Sequence, residues 1–459
     1  MSKTLEHLDP ATLTVGGNVR TDTRLDAAFL ASVKERGVLE PVLAHRDADG
    51  QVVVDQGQRR TLAATQLGLL TIPVIVDGQQ PQEADRLVDQ WVENEHRAAL
   101  TNKERIQAVE QMALVGLTAG QIAKRTATSK TDVAAAMTAA ASQTAVDHAD
   151  ELTLEDAALL AEFEDDAKAV NQLLQEAKWG RGLAARAQRI RDDREELRVL
   201  TAAGAALADQ GLTVIEAPGW GDKKTLPLDR LRDGRRKVDP EKHAAGCPGH
   251  VVWVERSYEW DDNDQQTLQA ATVPGCTGWA KHGHTDVHGS SAATALSASD
   301  DPADKEKARV ARRHVIESNK DWKAATTVRR RWLAEFGSLK AAPSGAEALI
   351  AAAIVGGWRS DVSPYAGTSG SLGLLNTSKE ALDAQLATAT PKRALQIALA
   401  LTVASWEAGA SDDLWRATDS RRDVAVRVLE AISQWGHQLS DIEERIIVGT
   451  AAEPQAVAA

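Results

Sequence analysis

The sequence predicts an α+β protein that is mainly α-helical and begins with a small α/β domain. Two observations predict this fold class. In residues 1–100, short runs rich in Val and Ile alternate with segments whose apolar residues recur at helical spacing. From residue 101 onward the helical spacing dominates, and Gly, Ser and Thr stand where helices would begin or end.

The chain of 459 residues is too long for a single hydrophobic core, so we expect several domains. They are the α/β domain at 1–100, an all-α domain at 101–205, a mixed segment at 206–290 that carries both cysteines, and a C-terminal helical domain at 306–450. A small, polar and acidic stretch at 290–305 is predicted to be a linker.

The composition excludes several classes of protein. Two cysteines are too few for a disulfide scaffold and suit a reducing cytoplasm. No stretch of about 18 apolar residues is present, and the first residues lack the apolar run of a signal peptide, so we expect no membrane association. The net charge of −13 does not exclude a nucleic-acid partner, because basic residues concentrate at 223–242 and 305–331 and phosphates respond to the local field.

Three short segments of the α/β domain suit a phosphate-bearing ligand. Residues 37–42 are predicted to be a helix end that turns into a strand, and at 57–60 a strand ends at a glycine before a helix that begins with two arginines. Backbone N–H groups at a helix start and guanidinium groups both bind phosphate oxygens. Residues 93–97 place a carboxylate beside a carboxamide, and such oxygen ligands can hold a divalent cation.

The order of these three boxes resembles that in partition proteins of the ParB/RepB type, over about residues 5–200. In that family a Gly-[Val/Leu/Ile]-x-x-Pro turn, a Gly-Glu-Arg-Arg box and a Glu-Asn-x-x-Arg box follow one another at similar separations. The resemblance implies a domain that binds CTP with Mg²⁺. The nucleotide-binding residues would be Gly37, Val38, Pro41, Gly57, Gln58, Arg59, Arg60, Asn94 and Arg97, with Mg²⁺ at Glu93 and Asn94.

The resemblance also implies partners. In such proteins CTP closes two protomers around DNA as a sliding clamp, and slow hydrolysis reopens it. We therefore expect a homodimer that binds double-stranded DNA with parS-like repeats, works with a ParA-type ATPase and is associated with the nucleoid. The helices predicted within 381–406 and 421–435 have apolar faces that suit self-association.

The chain departs from the family at the arginine box, where Gln58 stands in place of the glutamate. A carboxamide cannot act as a general base. Two further departures are Leu62 in place of an arginine and His96 in place of a glutamine. We expect binding of CTP to survive better than its hydrolysis, with slow CTPase activity if any and Glu93 as the candidate catalytic carboxylate. The alternative is that the arginine box contributes only to the folding of the domain and no longer binds a nucleotide.

A helix-turn-helix is predicted directly after these boxes. Residues 116–125 form a turn and a helix, 126–128 a second turn, and 129–137 a second helix with Val133 and Met137 on one face. Side chains near the start of the second helix reach base edges in such motifs. The candidates for DNA contact are Thr128, Ser129, Lys130 and Thr131, with Gln121 at the backbone. The alternative is a helical hairpin without a ligand.

The segment from 152 to 200 is similar to the helices that follow the helix-turn-helix in this family. It would complete the DNA-binding domain. Its basic residues available for phosphates are Arg181, Arg186, Arg189 and Arg191.

Outside the resemblance, both cysteines lie close to histidines: His243, Cys247 and His250 precede Cys276, His282, His284 and His288. A structural Zn²⁺ site is predicted from Cys247, His250, Cys276 and His282 as a tetrahedral Cys₂His₂ set. The spacing is not that of a zinc finger, and the alternative is a pair of ordinary buried thiols.

The function predicted from these features is DNA partition, with a centromere-like site bound through the helix-turn-helix and gating by CTP. One alternative is a transcriptional regulator built from the same two domains. Another is an enzyme on the α/β scaffold, such as a nuclease or a small-molecule kinase, although no further carboxylate cluster accompanies Glu93.

Overall fold

The computed structural model describes residues 3–15, 25–47, 50–77, 83–97, 99–219, 222–260, 266–287, 302–357 and 370–449. Positions 18–20, Asp49, His288, most of the predicted linker at 290–305 and the tail after 449 lie outside these residues. The chain divides into two compact units, Met1–Trp179 and Gly180–Ala459. The predicted fold class is confirmed, since helices dominate and a small mixed sheet opens the chain.

Unit 1 begins with an α/β domain. Its elements are β1 (Lys3–Leu8), β2 (Thr14–Val15), α1 (Ala27–Arg36), β3 (Val42–Arg46), β4 (Val52–Gln56), α2 (Gln58–Gln66), β5 (Ile72–Asp77) and α3 (Glu83–Arg97). The sheet has the order β1-β5-β3-β4-β2, with β3 parallel to β5 and antiparallel to β4. Every second residue of β5 is buried, and Ile72, Val74 and Val76 enter one apolar core with Val42 of β3.

The rest of unit 1 is helical. The helices are α4 (Asn102–Leu114), α5 (Ala119–Thr126), α6 (Lys130–Ala140), α7 (Gln143–His148), α8 (Leu154–Ala161) and α9 (Ala167–Lys178). Side-chain caps define several of their starts: Thr101 and Glu104 form a capping box on α4, and Thr118 and Gln121 form one on α5. Helix α6 packs against α4, α5 and α8.

Unit 2 begins with a long helix, α10 (Ala184–Asp209), which crosses the boundary predicted at 205. It packs against α12 (Pro302–Gly337) and a long β-hairpin. Between these helices lie β6 (Thr225–Pro227), β7 (Leu231–Asp233), β8 (Arg236–Lys237), α11 (Pro240–Gly246), β9 (His250–Trp260), β10 (Gln266–Thr277) and β11 (Thr285–Asp286). They form two three-stranded sheets, with the orders β6-β10-β9 and β11-β7-β8.

The C-terminal part of unit 2 is a helical domain. It contains α12, α13 (Ala346–Val355), α14 (Ser371–Leu374), α15 (Lys379–Ala387), α16 (Pro391–Gly409), α17 (Ser420–Gln434) and α18 (Asp441–Val448). Among the described residues, no helix is both long enough and apolar enough to cross a bilayer.

The apolar faces predicted for self-association lie inside this domain. Leu399 and Val403 of α16 and Val428 and Ile432 of α17 are buried in one core. That prediction was wrong for these two helices, because their apolar faces are covered by neighbouring helices of the same unit.

The basic cluster at 305–331 is also partly internal. Arg329 is buried, donates to Glu407 and Glu443 at 2.7 Å each, and lies over the ring of Trp322 at 4.5 Å. Arg330 donates to Glu407 at 3.2 Å. These two arginines neutralise buried carboxylates, so they do not form a DNA-binding surface.

Candidate functional site

Gly57 sets the geometry of the second box. It caps α2 with φ of 99°, a left-handed conformation that favours glycine. A Cβ at this position would lie 3.2 Å from a methyl of Val42 and 3.4 Å from the guanidinium of Arg60. The N-cap of α2 is Gly57, so no side chain at this position caps the helix.

Arg60 joins the first two boxes. Its Nη1 donates to the carbonyl oxygens of Glu40 at 2.7 Å and Pro41 at 3.1 Å, and it lies 3.4 Å from the Glu40 carboxylate. The turn at 37–41 is thereby held against the start of α2. Gly37, with φ of 71°, ends α1, and Val38 packs partly buried against the sheet core.

Arg59 occupies the other side of the same helix start. Its Nη2 donates to Asp26 at 3.0 Å, and its guanidinium lies 4.8 Å from the ring centre of Phe29. Its Nε is buried and has no hydrogen-bond partner among the described residues. The backbone N–H of Phe29 and then the Arg59 guanidinium lower the pKa of Asp26, so that carboxylate stays charged beside Arg59.

The third box lies on α3, which passes beside the end of β4. Gln90 of α3 donates to the carbonyl of Asp55 at 3.4 Å, two residues before Gly57. One turn further, Asn94 is buried and Glu93 is half-buried. Gln58, which replaces the family glutamate, is buried at the start of α2. The side chain of Arg97 lies outside the described part of the structure.

Sequence reasoning missed the acidic partners of these arginines. Asp26 pairs with Arg59, and Glu40 pairs with Arg60. Asp26 lies just before a helix and Glu40 lies in a loop, and nothing in the sequence around either residue indicates an ion pair with an arginine. A buried pair was missed as well: His45 Nδ1 lies 2.8 Å from Asp55, which precedes the glycine turn. Burial raises the pKa of Asp55, while the contact with His45 opposes the rise.

Two helices joined by a tight turn follow at the predicted place. Helix α5 ends at Ala127, a non-glycine residue with φ of 55°, and Ser129 caps α6 by accepting from the N–H of Asp132 at 2.9 Å. Ile122 and Val133 are fully buried between the helices, as predicted, whereas Met137 is partly exposed and Ala136 packs in its place.

The predicted DNA-contacting residues differ in how freely their side chains can act. Lys130 and Thr131 are exposed. Ser129 is exposed but serves as the cap of α6, and Thr128 is half-buried and bonded to Thr126 Oγ1 at 3.0 Å. Gln121 accepts from the N–H of Thr118 at 2.9 Å and so completes the cap of α5.

Helix α3 connects the two candidate interfaces within unit 1. Arg125 of α5 forms an ion pair with Asp85, and Arg105 of α4 pairs with Glu95 at 2.8 Å. A cavity of about 440 Å³ lies between these helices. It is lined by, among others, Trp91, Glu95, Arg105, Arg125, Thr128 and Asp132.

Three of the arginines expected to bind phosphates are engaged elsewhere, which corrects that expectation. They lie in unit 2, where Arg181 pairs with Asp441 at 2.8 Å and Arg189 with Glu317 at 2.8 Å. Arg186 lies 3.7 Å from Asp321. Arg189 is also buried.

Two of the four residues predicted as zinc ligands, Cys247 and Cys276, lie together in the structure. The donor atoms that come together are those of His243, Cys247, Cys276 and His284, all within 4.8 Å of one another. His250 instead contacts His243, with 2.8 Å between the two Nδ1 atoms, and His282 is exposed. His250 and His282 were predicted because they lie close to the cysteines in sequence. The fold instead places the rings of His243 and His284 beside the two thiols.

Comparisons with known proteins agree with the N-terminal boxes. Residues 5–94 match the family model described as the ParB N-terminal domain. The chain is 32% identical over 139 residues to a probable chromosome-partitioning protein ParB of Treponema pallidum, covering 29% of this chain and 42% of that protein. It is 33% identical over 106 residues to the chromosome-partitioning protein Spo0J of Thermus thermophilus, covering 23% of this chain and 38% of that protein.

A solved structure is also similar. It is the C-terminally truncated chromosome-partitioning protein ParB of Caulobacter crescentus complexed to the centromeric parS site, at 22% identity and a TM-score of 0.29. That match covers 40% of this chain and 96% of the other. The chain thus spans less than half the length of the two curated relatives. Residues 5–94 thus match the ParB N-terminal domain, and the chain is similar to ParB-type partition proteins.

Proposed function

We propose that this chain is a DNA-partition protein that binds a centromere-like DNA site through α5 and α6 and is gated by CTP with Mg²⁺. One observation carries the proposal. The first two boxes of the region that matches the ParB N-terminal domain meet at the start of α2, and the third lies on α3 beside the end of β4. Two helices with an exposed second-helix start follow in the same compact unit. We further propose that the protein acts as a dimeric clamp together with a ParA-type ATPase.

The residues around α2 fit a triphosphate. The first turn of α2 carries both arginines: Arg59, whose Nε is buried without a partner among the described residues, and Arg60, whose guanidinium bonds the turn of the first box. In our proposal the phosphates replace Asp26 and Glu40 as partners of these arginines. Glu93 and Asn94 supply oxygen ligands for Mg²⁺, which would neutralise phosphate charge.

The Arg59→Ala variant should bind CTP about 10-fold to 100-fold more weakly than the wild type, because hydrogen bonds to charged groups contribute about 1.5–3 kcal/mol. Calorimetric titration of the full chain with CTP, ATP, GTP and UTP in Mg²⁺ measures this effect. Arg46→Ala is the matched control, since Arg46 pairs with Glu6 on a sheet strand of the same domain. Equal and negligible heats for all four nucleotides would exclude a nucleotide-gated function.

Phosphate release in the same samples tests the hydrolytic step. We expect it to be slow, because Gln58 has no general-base character. If the wild type hydrolysed CTP as fast as a Gln58→Glu variant, the expectation of slow hydrolysis would be wrong. The proposal that CTP binds would not be affected.

Lys130 is the most suitable residue for testing DNA binding, because its side chain is exposed and its replacement should not disturb the fold. Replacing its neighbour Ser129 would also remove the cap of α6. If Lys130 contacts a phosphate, Lys130→Ala should lower affinity for all sequences and reduce the slope of log K against log salt by about 1. Fluorescence anisotropy with duplexes selected by the wild type from a random pool measures both.

Lys168→Ala, an exposed lysine on α9, serves as the control in that assay. Equal affinities and equal salt slopes for Lys130→Ala and the wild type would place the DNA interface elsewhere. Occupancy confined to the selected site, with no CTP-dependent spreading along longer DNA, would favour a transcriptional regulator over a partition clamp.

A further inference from the structure

The β-rich part of unit 2 has a small apolar core of its own. The buried residues of that cluster are Leu226, Leu228, Leu231, Val238 and Cys276, with Cys247 and Trp279 partly buried against it. Cores of this size commonly need a disulfide or a structural metal to hold a segment together. One of the two sheets that meet there is also short, since β7 has three residues and β8 and β11 have two each.

Four potential metal ligands converge at this core. Cys247 ends α11, Cys276 lies near the end of β10, His243 lies on α11, and His284 precedes β11. The Sγ atoms of Cys247 and Cys276 are 3.8 Å apart, and Cys247 Sγ is 3.6 Å from His284 Nε2.

These separations are those of a tetrahedral zinc site. Bonds of about 2.3 Å to sulfur and about 2.0–2.1 Å to nitrogen place two sulfurs about 3.8 Å apart, and a sulfur and a nitrogen about 3.6 Å apart. A disulfide would need an S–S distance of about 2.05 Å, so the two cysteines are not joined to each other here.

The two histidines are oriented by partners outside the cluster. Asp233 Oδ1 lies 2.5 Å from His284 Nδ1, which leaves Nε2 facing Cys247. A carboxylate that holds the second nitrogen of a histidine is the usual support of a zinc ligand. His250 holds Nδ1 of His243 in the same way, at 2.8 Å.

A second observation that points to a metal is the unsatisfied ring nitrogen of His243. The residue is only 4% exposed, and its Nε2 is buried without a hydrogen-bond partner among the described residues. A buried imidazole nitrogen without a partner is costly, and a metal bond would satisfy it. Gly249 lets the backbone approach this place, since a Cβ there would lie 2.8 Å from Cys276 Sγ.

We propose that His243, Cys247, Cys276 and His284 bind one structural Zn²⁺ that joins α11 to the ends of β10 and the β7–β11 sheet. Thiolate and imidazole ligands select zinc over Mg²⁺ or Ca²⁺. All four positions are taken by protein side chains, three of them buried, so no coordination position is open for catalysis. This site does not depend on the proposed nucleotide or DNA binding of unit 1.

Metal analysis of the full chain, purified without chelators, tests the proposal. We expect about one zinc per chain in the wild type and a loss of most of it in Cys276→Ser and in His284→Ala. The matched control is His282→Ala, which changes an exposed histidine beside the site and should retain the metal. Replacement by Co²⁺ should give the intense visible bands of a tetrahedral ion with thiolate ligands.

A second measurement keeps the test decisive if the variants do not fold. In the wild type, a strong chelator should make both thiols reactive toward a thiol reagent, and added Zn²⁺ should protect them again. Protein without metal that takes up no Zn²⁺ in competition with a chromogenic chelator would overturn the proposal. Unreactive cysteines with a mass lower by two hydrogens would overturn it too, in favour of a disulfide.

Discussion

Replacing Arg329 with methionine is expected to lower the free energy of unfolding of unit 2 by about 3–5 kcal/mol. The guanidinium is the shared partner of two buried carboxylates, with 2.7 Å contacts to Glu407 and Glu443. Without it, Glu407 would keep only its contact with Arg330, and Glu443 only its hydrogen bonds with His437 and Ser440, so both buried carboxylates would lose their main compensating charge. Methionine retains much of the packing against Trp322, so the loss reflects charge rather than a cavity.

Urea unfolding followed by tryptophan fluorescence measures this loss. Arg331→Met is the matched control: it removes an exposed arginine from the same helix and should change stability by no more than about 0.5 kcal/mol. Adding Glu407→Met and Glu443→Met to Arg329→Met should recover part of the loss, because a buried ion cluster can be replaced by apolar side chains. Equal stability of Arg329→Met and Arg331→Met would show that the cluster does not stabilise the fold.

Unit 2 should also lose stability in acid because of Glu443. Burial alone would raise the pKa of this carboxyl, but the hydrogen bond from His437 and the charge of Arg329 outweigh burial and lower the pKa from 4.5 to about 2. A group whose pKa is lower in the folded state stabilises that state above its unfolded pKa. The contribution, about 3 kcal/mol, is therefore complete above pH 4.5 and is lost as the pH falls toward about 2.

Free energies of unfolding measured between pH 6 and pH 2.5 test this expectation, with Glu443→Gln as the comparison. The amide keeps the shape of the side chain but cannot titrate, so its curve should fall less steeply below about pH 4.5 than that of the wild type. Other carboxyl groups contribute equally to both proteins. Parallel curves would mean that Glu443 does not titrate in this range on unfolding.

Local signals made the N-terminal architecture predictable. Glycine at the end of β4, the Thr118 cap of α5 and the Ser129 cap of α6 act within one turn of the chain, so their effect is encoded nearby. The three boxes were recognisable because each is contiguous. The ion pairs of Arg59 with Asp26 and of Arg60 with Glu40 could not be foreseen, because they join residues that are distant in sequence.

Long-range packing decided the rest. The sequence pattern of an apolar helix face is the same whether that face packs against a second copy of the chain or against a neighbouring helix. Only the fold shows that the apolar faces of α16 and α17 pack within their own unit. Arginines at 329 and 330 look like part of a basic surface, but α12 turns them toward Glu407, which is distant in sequence.

By itself, therefore, the sequence determined the fold class, the similarity of residues 5–94 to the ParB N-terminal domain, and the presence of cysteine and histidine near one another in the segment at 243–288. Only the tertiary structure decided which of those histidines meet the thiols. His243 and His284 are turned inward by His250 and Asp233, whereas His282, which is nearer in sequence to Cys276, lies at the surface. The physical reason is that the residues of this cluster come from separate helices, strands and loops. Their distances in space depend on how those elements pack, which the spacing of residues along the chain does not specify.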